Sequence, residues 1–153
     1  MSRVSTYLNF MGNTEEAFRF YKDIFGTEFD TTFSPSGIMY MRDVPTDPSQ
    51  PPLPEDEKDA VMHVALPILN GHMIMGTDML KSMGHELIIG NNTTINLEPD
   101  TREETERLYA SLSEGGDPKQ CAPLSDMFWG SYWGSCLDKF GIRWMFNCSE
   151  KKA

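Results

Sequence analysis

The sequence predicts an α+β fold of two βαβββ modules, and three observations carry that reading. Strand-like alternation and capped amphipathic helices follow one another as strand–helix–strands, and the pattern occurs twice. At a spacing of 88 residues, Thr6 matches Thr94, Glu15 matches Glu103, Glu16 matches Glu104, Arg19 matches Arg107 and Tyr21 matches Tyr109. These identities fall at the same places in the two patterns, as a diverged duplication would leave them. The chain of 153 residues, 39% hydrophobic and 11% aromatic, can also bury a core without disulfides or metals. It reads as a single domain spanning 1–153, with modules of about 1–84 and 91–149.

Thr6 to Met11 alternates as a strand does, with Thr, Tyr and Phe in period two. Asn13 then caps a helix, with Glu16 three residues on. Ala17, Phe18, Tyr21, Ile24 and Phe25 give that helix one apolar face, and Gly26 ends it. Phe29–Phe33 and Gly37–Arg42 read as strands joined by Ser34-Pro35-Ser36-Gly37. Between Arg42 and Asp59 lie Pro45, Pro48, Pro51, Pro52 and Pro54 among six acidic residues, a composition that excludes a helix or central strand. That stretch reads as a mobile edge, with a lid over a site as the alternative.

Ala60–Pro67 and His72–Thr77 follow as strands around Leu69-Asn70-Gly71, and Met79–Met83 as a single helical turn. After Gly90-Asn91-Asn92, Thr93–Glu98 opens the second copy. Asp100-Thr101-Arg102-Glu103 reads as a capping box, Leu108 and Leu112 mark the apolar face, and Gly115-Gly116 stops the helix. Of the remaining strands Ile142–Cys148 is the clearest.

A net charge of −10 with scattered basic residues argues against nucleic acid as a partner. No apolar run approaches a membrane span, and Met1-Ser2-Arg3-Val4-Ser5 lacks a signal-peptide core, so membrane association is not expected and a cytoplasmic location is. Cys121, Cys136 and Cys148 are odd in number and form no C-x-x-C pair, which fits reduced thiols packed as small hydrophobes.

Chemistry-bearing residues are few. Phe128, Trp129, Tyr132 and Trp144 sit in or after an aromatic block, suited either to packing or to contact with a flat small molecule. His63, of opposite parity to Met62 and Val64, is either a core histidine or one that touches ligand or acts as a general base. Asp78 either caps the turn at Met79 or serves as a strand-end base. Asn9 and Asn96 stand in the opening strands, and Met75 shares a face with Met73.

The motifs Tyr7-Leu8-Asn9-Phe10-x-Gly12-Asn13 into Glu16-Ala17-x-x-Phe20-Tyr21, Met62-His63-Val64, Met75-Gly76-x-Asp78, Phe128-Trp129-Gly130 and Asp138-Lys139-Phe140-Gly141-x-x-Trp144 cover nearly the whole chain. In order and spacing they resemble the vicinal-oxygen-chelate (glyoxalase/bleomycin-resistance/dioxygenase) superfamily, within it the PhnB-like, 3-demethylubiquinone methyltransferase-like group. The resemblance implies curled mixed sheets forming a cup, a homodimer, and in the enzymes a divalent metal held by His, Glu or Gln. Here the corresponding positions fall on about Thr6, Thr94, Met145 and Met73 or Met75, which are poor metal ligands. No metal or other cofactor is therefore expected, although the resemblance leaves a divalent metal open. Methyl transfer is discounted as well, because no G-x-G-x-x-G joins a strand to a helix. The function expected is binding of a small apolar or aromatic molecule in a Met/Trp-lined cavity through Asn9, Met75, Asn96, Phe128, Trp129, Tyr132 and Trp144. The alternative is a metal-dependent glyoxalase- or dioxygenase-type enzyme using His63 and Asp78.

Overall fold

Alternating burial along the strands decides which face of each sheet its helix covers. A computed structural model covers Met1–Ala153 and divides into two compact units, Met1–Ile88 and Ile89–Ala153. In the first, β1 (Thr6–Phe10), α1 (Thr14–Phe25), β2 (Ile38–Tyr40), β3 (Val61–Pro67) and β4 (Met73–Asp78) give one βαβββ module. Its sheet runs β1-β4-β3-β2, with β1 parallel to β4 and the other pairs antiparallel. Ala17, Phe18, Tyr21 and Ile24 of α1 are buried, as are Leu8, Phe10, Val64, Leu66 and Ile74 of the sheet. Gly76 lets the helix approach: a Cβ there would lie 2.4 Å from the Phe18 ring.

The second unit repeats the plan with β5 (Ile95–Leu97), α2 (Arg102–Ser113), β6 (Ala122–Asp126), β7 (Tyr132–Leu137) and β8 (Arg143–Cys148). Its sheet order is β5-β8-β7-β6, again with the first pair parallel. Leu97, Leu108, Leu112, Trp144 and Phe146 are buried in its core. Both sheets remain open, each with two edge strands. No helix is long and apolar enough to cross a membrane.

Three local expectations change. Phe29–Phe33 forms no strand, which leaves β2–β4 as the three strands after α1. Phe29 instead packs on Gly37, whose φ of 82° and crowded Cβ position both demand glycine. Asn13 makes no side-chain cap on α1. For α2 the cap is Thr101, one residue later than Asp100, and it accepts the Glu104 amide. The proline-rich stretch has no strand, only 3₁₀ turns at Met41–Asp43 and Glu55–Glu57. Its ends are fastened by Met41 N–H to Ala60 O (2.9 Å) and Arg42 N–H to Lys58 O (3.0 Å).

Candidate functional site

Strand parity fixes what the helix-free face of each sheet presents. In the first unit Tyr7 is paired with Met75 and Asn9 with Thr77, all on the side away from α1. His63 joins them from β3, where it pairs with Met39 of β2. Met62 is exposed and occupies the bulge between the Met39 and Tyr40 pairings, which accounts for two buried residues, Val61 and Val64, bracketing His63 out of strict alternation.

His63 is the chemically distinctive group on this face. The Tyr7 hydroxyl lies 3.2 Å from its Nδ1, and the Phe33 ring meets the imidazole edge-on at 5.5 Å between centroids. Its Nε2 is buried and has no hydrogen-bond partner. Burial lowers the pKa of His63 from 6.5 by penalising the charged ring, and the negative charge of Asp30 opposes that shift without reversing it. Burial also raises the pKa of Tyr7, so its phenol keeps its proton at neutral pH. The result is a neutral imidazole with two unlike nitrogens, set among aromatic and thioether side chains.

Asp78 is not part of this group. As the last residue of β4 it falls on the α1 side, where Oδ1 accepts from Gly12 N–H (2.8 Å), Thr14 N–H (3.2 Å) and Thr14 Oγ1–H (2.6 Å). Oδ2 accepts from Val61 N–H at 2.8 Å. The carboxylate therefore fastens the start of α1 and of β3, and neither caps Met79 nor pairs with His63, which lies across the sheet. A buried carboxylate with both oxygens engaged is a structural anchor.

The aromatic block divides in the same way. Trp144 has no exposure, lies in the core against α2, and donates Nε1–H to Asp138 at 2.9 Å; it cannot meet a ligand without unpacking. Tyr132 also points to the helix side, its hydroxyl donating to Glu106 at 3.0 Å and its ring lying 4.2 Å under the Arg102 guanidinium. Phe128 and Trp129 occupy the β6–β7 turn and are exposed, 97% and 51%. The helix-free face of this second sheet carries Asn96, Met145, Trp133 and Asn147. Asn147 donates to Asn96 Oδ1 at 2.6 Å. Trp133, Tyr7 and Phe33 were not singled out from the sequence. Tyr7 shares parity with Asn9 and was legible on that ground, whereas Phe33 was assigned to a strand that does not form.

The donor set does not suit a divalent metal. No three His, Cys, Asp or Glu side chains come together. The face holding His63 adds only phenol, amide, hydroxyl and thioether groups. Thr6, at the first-strand ligand position that the resemblance implies, lies on the helix side and hydrogen-bonds His72 Nε2 at 2.9 Å. Cys136 is no nucleophile, since burial pushes its thiol up to about 12.

A profile of the family described as 3-demethylubiquinone-9 3-methyltransferase matches residues 2–146. The chain belongs to this family. Among its relatives, protein YjdN of Escherichia coli K12 is 28% identical over 151 residues, 97% of each chain. The crystal structure of PA1353 from Pseudomonas aeruginosa is 28% identical with a TM-score of 0.75, covering 99% of this chain and all (100%) of that one. The PhnB protein of Bacillus cereus is 23% identical with a TM-score of 0.69, covering 96% and 99%. A glyoxalase/bleomycin resistance/dioxygenase domain from Frankia sp. EAN1pec, 11% identical over 100% and 96% of the chains, has a TM-score of 0.62 and shares the fold. The fold is thus that of the vicinal-oxygen-chelate superfamily and the group PhnB-like. A shared fold does not carry a reaction with it.

Proposed function

We propose that the protein binds a small aromatic or apolar molecule on the helix-free face of its first sheet, without a resident metal. The observation that carries this is His63, engaged by Tyr7 at one nitrogen and buried without a partner at the other. A lone unsatisfied polar atom among Tyr7, Phe33, Met39 and Met75 is the pattern of a small-molecule pocket, mostly apolar walls with one orienting group. Methionine adds a surface that adjusts to ligand shape.

The test is titration of protein carrying 13C-methyl methionine with 2-ethylnaphthalene. Saturable binding that moves the Met39 and Met75 methyl signals, and leaves Met145 and Met83 in place, is the expected result. Absence of binding, or shifts confined to Met145, removes the proposal.

A further inference from the structure

We infer that Phe33 gates His63, and that the bound molecule is an aryl carbonyl compound whose oxygen accepts a hydrogen bond from the Nε2–H of His63 once the gate opens. This rests on the binding reading above and adds the ligand's chemical class.

The two ring nitrogens of His63 meet different surroundings. A neutral imidazole carries one donor and one acceptor. The Tyr7 hydroxyl lies 3.2 Å from Nδ1, and we assign the phenol as the donor in that contact. Nδ1 then accepts the hydrogen bond from Tyr7, and Nε2 bears the ring hydrogen. That N–H is buried with nothing to receive it, a costly arrangement that a ligand oxygen relieves.

Phe33 meets the imidazole edge-on yet keeps 70% of its surface exposed. It stands between two anchored turns, one closed by Thr32 N–H to Asp30 (2.8 Å) and one by Gly37 N–H to Ser34 O (2.9 Å). Its side chain can therefore rotate without disturbing a strand. Room to rotate lies alongside, in an open depression of about 570 Å³ bordered by Phe33, Ser34, Pro35 and Met39. When Phe33 leaves, an incoming ring replaces its edge contact and uncovers Nε2.

Charge selects among oxygen acceptors. The negative charge of Asp30 acts on His63, and the chain as a whole carries −10. A carboxylate ligand would meet that field, whereas a carbonyl accepts the same hydrogen bond without a net charge.

Two probes of matched shape decide the matter: 2-acetylnaphthalene, with the carbonyl, and 2-ethylnaphthalene, without it. The wild-type protein should bind the ketone about tenfold more tightly, the usual worth of one satisfied buried donor. His63→Phe should abolish that preference, and Phe33→Ala should tighten both probes while keeping it. Equal affinities in the wild type would overturn the inference and leave the ring-binding reading standing. Weaker binding of both probes by Phe33→Ala would make Phe33 a wall instead of a gate. Failure of both probes to bind would remove both readings. Should His63→Phe not fold, 15N NMR of the wild type decides: a protonated Nε2 whose signal moves with the ketone alone supports the inference, and a protonated Nδ1 overturns it.

Discussion

At the scale of single residues, the same kind of burial has opposite uses at His63 and Asp78. Burial makes the charged form of His63 costly, so its pKa falls below 6.5 in the folded chain. Above pH 6.5 the ring is neutral folded and unfolded alike, and adds no pH dependence. As the pH falls below 6.5 the unfolded chain binds the proton first, so stability declines until the pH passes the lowered folded value. Urea unfolding between pH 7.5 and 5 should show this slope in the wild type and a shallower one in His63→Gln; identical slopes would remove His63 as the source. Asp78 is buried with four donors gathered on its two oxygens. Asp78→Ala strands those donors and should cost about 3–5 kcal/mol in urea unfolding, while leaving naphthalene affinity of the folded protein unchanged. A cost below about 1 kcal/mol would contradict the anchoring role. The face taken by His63 was readable from its neighbours. Asp78 was not, because its partners Gly12 and Thr14 lie far outside any local window, the latter 64 positions away.

At the scale of elements, the 88-residue repeat proves to describe the helices and not the strands. Shifted by that spacing, Thr14–Phe25 lands on Arg102–Ser113. The parallel strand pairs follow a different spacing: Thr6 pairs with Ile74, and Ile95, not Thr94, pairs with Trp144. A one-residue slip reverses which face a side chain occupies: counting back from Phe20-Tyr21 sets the first-strand ligand position of the resemblance on about Thr6, whereas Tyr7 is the residue on the helix-free face. Similarly, the density of the aromatic block suggests ligand contact for Trp144, whereas strand alternation with Phe146 and Cys148 puts it in the core. The apolar stripes of the helices are short-range and legible; the N-terminal caps differ from those the sequence places, and the cross-sheet partners are not legible. Close packing of α1 gives this scale its own prediction. Gly76→Ala forces a methyl against Phe18 and Thr14, and should destabilise by about 1–3 kcal/mol by overpacking. Restoring stability with Phe18→Leu in the same chain would confirm the contact, and additive losses would deny it.

For the whole molecule, the family fold supplied a metal expectation that the residues answer through their chemistry. With one imidazole amid phenol, amide and thioether groups, the first sheet's open face is a poor home for Mn, Ni or Zn. Chelator should therefore leave the melting temperature unchanged, and added divalent ions should not raise it; a stoichiometric metal whose removal lowers it would reveal ligands from elsewhere. The fold itself was readable at this scale, since two capped helices, each flanked by strands, admit few arrangements.

The Asp78 carboxylate, which holds the start of α1 from the end of β4, also bears on the order of events in time. Thr101 caps α2 from the adjacent residue, so that helix carries its own start signal. The start of α1 waits for Asp78, which arrives only when β4 has docked beside β1. Loop closure over such a separation must precede the reward. A peptide of residues 99–116 should accordingly show more helical circular dichroism than one of residues 11–28, despite the stronger apolar stripe of the latter. If the two peptides are equally helical, the delay assigned to α1 has no basis. If they differ as expected, two modules of one plan fold by different schedules: one helix nucleates alone, and the other is switched on by its sheet.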